Sequence, residues 1–191
     1  MAISMRKSSS LSLAEPDKLL VVCGIFDGLF GDIWMVDIVG GAEEPLYSPA
    51  LSTSDRSRIY YRADYLSSLL HEIAHWCLAG TDRRKLEDYG YWYNPDGRDD
   101  QQQEQFLAAE VKPQALEWLF SVACDLSFRV SMDNLSATSE LPCETEFHHK
   151  VAEQIRQWCS SRTIPSRGLQ FVKALASEFG TDPMKISHYG G

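Results

Sequence analysis

The clearest chemistry in this chain lies in His71, Glu72 and His75, which spell HExxH within the run His71-Glu72-Ile73-Ala74-His75. On a helix, a spacing of four brings two imidazoles to one face roughly 6 Å apart, so both can bind a single metal ion. Two imidazoles do not complete a ligand set, and a carboxylate or another histidine is expected to arrive from a different element. His148 and His149 are adjacent in a polar pattern, and His188 is close to the C-terminus. Glu110 is the better candidate: it follows Ala108 and Ala109, small enough for close helix approach, and precedes a break at Pro113. Gln114 and Glu117 continue its stripe at i+4 and i+7, where they can orient a ligand.

This donor set suits more than one chemistry. A hydrolytic zinc site, as in a metallopeptidase, would use Glu72 as general base for a bound water. Non-haem iron uses two histidines and a carboxylate to hold and activate dioxygen. In a third reading the metal only fixes the fold of a binding module.

The elements that carry these residues follow from periodicity. Leu66, Leu69, Leu70, Ile73 and Cys77 recur at helical spacing, and Gly80 stands where a C′ glycine would end the helix. Ser68, His71 and His75 border that apolar stripe, so the histidines are expected at the edge of the core, shielded yet reachable. A second helical pattern covers residues 100–124, with Pro113 expected to kink or split it. Residues 16–30 read as a first helix, and the β-prone pieces 33–39, 45–47 and 58–61 as a small sheet or hairpin. Residues 128–132 suggest one more strand, and 144–159 and 166–179 two closing helices. The charged run 82–85 reads as a solvated face, and Tyr89, Tyr91, Trp92 and Tyr93 as packing more than a binding cage. The expected fold is α+β: a helix-rich single domain over residues 16–185 with a small β-sheet and a metal site built on the HExxH helix and a second helix. Residues 1–15 and 186–191 are expected to be tails.

Composition narrows the partners. The 191 residues include 18 Lys+Arg against 27 Asp+Glu, a formal net charge of −9, which suits one compact domain. It disfavours nucleic acid as a partner and makes cationic substrates electrostatically easier. Five cysteines without a CxxC pair speak against a disulfide framework or a cysteine zinc site, and for a reducing cytoplasm. The N-terminal residues are too polar for a signal peptide. The most apolar stretch, residues 19–41, is interrupted by Asp27, Asp32 and Asp37, so no membrane span is expected.

Four segments in order, HEIAHWCLAG from His71, DYGYWYNPDGRD from Asp88, EVKPQALEWLF from Glu110 and VSMDNL from Val130, resemble the elongation factor P hydroxylase family. These are bacterial proteins that hydroxylate a modified lysine of translation elongation factor P. The resemblance is strongest over residues 69–135 and more diffuse over about 37–174. It implies a metal-dependent monooxygenase acting on the lysine after that lysine has received a β-lysyl group. His71, His75 and Glu110 would then be the metal ligands, most naturally of iron(II), although zinc would also occupy such a site in a purified sample. Dioxygen would be the cosubstrate, and Glu72 an acid/base or supporting group. Tyr89, Asp96, Arg98 and Lys112 lie in the matching segments and are weaker candidates for shaping the pocket or docking the substrate. No HxD occurs, so 2-oxoglutarate is not inferred, and an external reductant must supply two electrons.

Overall fold

The computed structural model describes residues 13–91, 98–132 and 143–190. It is helix-rich with one small sheet, as the patterning predicts. Helix α1 (Glu15–Phe26) starts with Pro16, Glu15 and Asp17 in its first turn, where proline's missing N–H is harmless and carboxylates meet the positive end of the helix dipole. It runs on through a π-turn (Asp27–Gly31) into the short α2 (Asp32–Trp34). The first helical stretch therefore continues past Phe30 and takes in Ile33.

The three β-prone pieces form β1 (Val36–Ala42), β2 (Leu46–Ser48) and β3 (Ser57–Arg62). Their order is β1-β3-β2, with β1 parallel and β2 antiparallel to the central β3. It is a mixed sheet, not a simple hairpin. A register shift between Val39 and Ala42 bends β1 at Gly40-Gly41, and Gly41 adopts φ +77° there, which costs glycine little.

Helix α3 (Leu66–Leu78) carries HExxH and buries Leu66, Leu69, Leu70, Ile73, Ala74, Trp76 and Cys77. Gly80 is not its left-handed cap: the chain leaves the helix extended at Ala79. Arg167 instead donates to the carbonyls of Trp76 (2.9 Å) and Cys77 (3.1 Å), and Arg84 to that of Ala79. Two cations thus occupy the negative end of the helix. Arg84 is half-buried, and Arg83 donates to the Tyr89 carbonyl at 3.1 Å, so the 82–85 run is not simply a solvated face.

Helix α4 (Asp100–Ala123) opens with a capping box between Asp99 and Gln102 and runs unbroken through Pro113. The expected split is absent. Proline leaves the Ala109 carbonyl without its helical donor, but Leu107, Ala115, Leu116, Leu119 and Phe120 all pack into the one core on either side of it. Helices α5 (Glu144–Ser161) and α6 (Ser166–Phe179) close the domain. Phe26, Phe30, Trp76, Phe120 and Phe171 interlock at its centre, with Phe26 and Trp76 centroids 5.2 Å apart. Burial of each ring stabilises by roughly 1.5–3 kcal/mol, fixing α3 against α1 and α6.

Two further expectations are corrected. Residues 128–132 are not a strand, because the backbone groups of Ser131 and Met132 pair with side chains of α4 and not with another strand. Gln114 exchanges two hydrogen bonds with the Ser131 backbone, at 2.7 and 3.0 Å, and Gln103 donates to the Met132 carbonyl at 2.7 Å. Residues 186–191 are not simply a tail: Tyr189 is fully buried, donates to the Pro183 carbonyl at 2.6 Å and accepts from Arg156 at 2.7 Å. Among the described residues, no helix is long and apolar enough to cross a membrane.

Candidate metal centre

Helices α3 and α4 bring His71, His75 and Glu110 together. The two Nε2 atoms are 3.1 Å apart, Glu110 Oε1 is 3.2 Å from His75 and Oε2 3.5 Å from His71. Ligands bound at about 2.1 Å around one ion lie about 3.0 to 3.4 Å from one another, depending on the coordination angle. The imidazole pair and the His75–Glu110 contact fall in that range, the Oε2 contact to His71 is just beyond it, and one donor atom from each residue can be chosen so that all three lie within 4.8 Å of one another. Two imidazoles and a carboxylate suit iron(II) or zinc(II).

The supporting atoms come mainly from α4. Glu117 Oε2 accepts from His71 Nδ1 at 2.8 Å, and Gln114 Nε2 donates to Glu110 Oε2 at 3.4 Å. Gln103, Glu110 and Gln114 are buried polar groups on one helix, at a spacing of seven and four that keeps them on one face. Ala108 is exposed and lines a separate groove, so it is not what lets the helices meet.

The electrostatics suit a cation. Burial disfavours charge on His71, but the hydrogen bond and charge of Glu117, with Glu110 and Glu72 behind it, overcome this and raise it to about 10. Burial likewise opposes ionisation of Glu110, yet His75 and His71 with the Gln114 amide hold it at about 2. Glu72 is pushed up by burial and by Glu110 and Asp88, against the pull of His71 and His75. Three carboxylates around two imidazoles keep a proton on His71, and a divalent ion would displace it.

The donors open into a cavity of about 760 Å³ with Glu44, Glu72 and Asp88 in its lining, and with Arg98, Arg129 and Ser131 beside them. Of the weaker candidates, Tyr89 and Arg98 line this cavity. Lys112 lies in a different groove, with Leu107, Phe147 and Lys150, and Asp96 is outside the described residues. His148 packs its ring 4.8 Å from Trp118 and does not line the cavity.

Tyr89 is built in at some cost. It and Asp88 both adopt left-handed backbone, φ +59° and +45°, a conformation that strains non-glycine residues. Its ring stacks on Tyr47 at 4.3 Å and lies parallel to His75 at 6.2 Å. Its buried hydroxyl has no hydrogen-bond partner among the described residues, and burial, then Glu72, pushes its ionisation well up. Sequence reasoning missed Glu44, Asp88, Arg129 and Tyr47. None carries a local signal, because each reaches the site through tertiary packing. Gln103 had one, the seven-residue spacing to Glu110.

Residues 25–189 match the family model described as elongation factor P hydroxylase. An elongation factor P lysine hydroxylase from Haemophilus influenzae is 40% identical over 166 residues, covering 86% of this chain and 91% of that protein. A match spanning the sheet, both donor helices and the closing turn at Tyr189 places the whole domain, and not the HExxH segment alone, in the elongation factor P hydroxylase family, to which this chain belongs.

Proposed function

We propose that His71, His75 and Glu110 hold iron(II), and that the protein is a monooxygenase of the β-lysylated lysine of elongation factor P. Supporting this is the triangle of three donors on one wall of a carboxylate-lined cavity, in a chain of a hydroxylase family. Iron(II) held by these two imidazoles and one carboxylate would supply the one-electron chemistry with dioxygen that hydroxylation needs. One oxygen atom enters a C–H bond as hydroxyl, and the other leaves as water with two electrons and two protons from an external reductant.

The chain's own residues do the rest. Glu117 keeps the Nδ1 proton of His71 engaged so that Nε2 faces the other donors. Gln114 fixes one oxygen of Glu110. Glu44, Glu72 and Asp88 draw a cationic side chain inward, with Glu72 in a supporting and not a ligating role. Tyr89 and Arg98 form part of the wall. The test is to strip the protein with chelator and restore either iron(II) or zinc(II) with reductant present. Hydroxylation of elongation factor P is expected with iron alone, and equal activity with zinc would overturn the assignment.

A further inference from the structure

We propose that Arg98 selects the β-lysylated lysine: its guanidinium donates to the carbonyl oxygen of the amide through which the β-lysyl group is attached. The inference rests on the hydroxylase reading. It adds the discrimination between modified and unmodified lysine, which the carboxylates of the cavity cannot make, since both side chains carry ammonium groups. Two arginines, Arg98 and Arg129, stand among those carboxylates in the lining. A guanidinium is at odds with a site that receives a cation unless it meets a neutral acceptor. Arg129 is exposed and pairs with Glu144 at 3.1 Å. Arg98 is half-buried and built in from α4: its Nε donates to Gln103 Oε1 at 2.8 Å, and its Cζ lies 4.1 Å from the centroid of the Phe106 ring. Gln103 is 0% exposed, and its amide nitrogen donates to the Met132 carbonyl at 2.7 Å, which fixes its oxygen toward Arg98. The bond at Nε and the ring together set the plane of the guanidinium, whose terminal nitrogens carry further N–H donors.

Helix register places this guanidinium relative to the metal donors. Gln103, Phe106 and Glu110 follow one another at i, i+3 and i+7 along the buried stripe of α4. At the rise of an α-helix, Phe106 lies about 6 Å and Gln103 about 10 Å from Glu110 along the axis. In the substrate, about six bonds or fewer separate any side-chain methylene of the lysine from the amide oxygen, a reach of up to about 7 Å when extended. A lysine with a C–H at the donors therefore reaches, with its amide oxygen, the stretch of wall that Arg98 occupies. The ammonium groups beyond the amide are left to the carboxylates. Unmodified lysine carries an ε-ammonium in place of the amide, which accepts no hydrogen bond and meets the like charge of Arg98. A site built to hydrogen-bond one group rejects a substrate lacking it far more strongly than a site that senses size alone.

The test compares elongation factor P acylated with β-lysine with the same factor carrying that diamine through a methylene link, where a secondary ammonium replaces the amide. Oxygen gain is followed by mass with the wild-type protein and with Arg98→Met, whose unbranched chain still covers Phe106 but donates nothing. Wild-type kcat/KM is expected to be about 10- to 100-fold higher on the acylated form, as one hydrogen bond from a charged donor gives. Arg98→Met should lower kcat/KM on the acylated form until that preference disappears. Equal wild-type values on the two forms, whether or not the variant folds, or an undiminished preference in folded Arg98→Met, would overturn selection by Arg98 alone. No oxygen gain on the acylated form with iron-loaded wild-type protein would overturn the functional reading, and the selection with it.

Discussion

Glu117 Oε2 lies 2.8 Å from His71 Nδ1, and this contact decides which nitrogen of His71 meets the other donors. With Nδ1–H donating to the carboxylate, Nε2 faces His75 and Glu110 with its lone pair free once a metal displaces the second proton. The residue seven positions beyond one donor thus sets the tautomer of another.

Glu117→Ala should therefore weaken metal binding about 10- to 100-fold while leaving the fold intact. Competition against a chromophoric chelator measures this directly. Unchanged affinity would remove Glu117 from the site's design.

The same carboxylate sets a pH dependence in chelator-stripped protein. Glu110, held at about 2 against its ordinary 4.5, favours the folded state above pH 4.5 and loses that contribution as pH falls toward 2. His71, raised from 6.5 to about 10, favours folding fully below 6.5 and loses its contribution as pH rises through 10. Tm should fall between pH 7 and 10 more steeply in the wild type than in Glu117→Gln, where the main support of the imidazolium is gone. Parallel slopes would show that His71 is not held protonated.

Glu72→Gln separates oxygenation from hydrolysis. In the proposed hydroxylase it should keep its metal and retain measurable hydroxylation, because Glu72 is neither ligand nor essential base. Full metal content with hydroxylation abolished would make Glu72 a required acid/base. Cleavage of a peptide by the wild type, lost in this variant, would favour the zinc metallopeptidase reading.

Tyr89→Phe should stabilise the protein by about 1 kcal/mol, since it removes a buried hydroxyl with no hydrogen-bond partner among the described residues. Equilibrium denaturation in urea reads the change. A loss of stability would mean the hydroxyl is satisfied in solution.

How far the sequence reaches depends on whether a signal is local. The HExxH helix was legible because Leu66, Leu69, Leu70 and Ile73 repeat on one face and all four are fully buried. Helix α6 occupies the residues its pattern marked out. Residues 128–132 misled because their alternation is real but their partners, Gln103 and Gln114, are side chains on a helix, which no strand pattern encodes. Gly80 misled for a related reason: Arg167, far along the chain, supplies what a glycine cap would have. The parallel pairing of β1 with β3 is likewise a tertiary fact. The grouping of His71, His75 and Glu110 follows from residue type and spacing, whereas Asp88 and Tyr47 join it only through a strained turn that stacks Tyr89 beside His75.

The most direct measurement is mass spectrometry of β-lysylated elongation factor P after aerobic incubation with this protein, iron(II) and a reductant, beside a His71→Ala control. A gain of one oxygen on the modified lysine, absent with the variant, is expected. An unmodified lysine after incubation with fully iron-loaded wild-type protein and excess reductant, or equal oxygen gain with His71→Ala, would contradict the proposed centre.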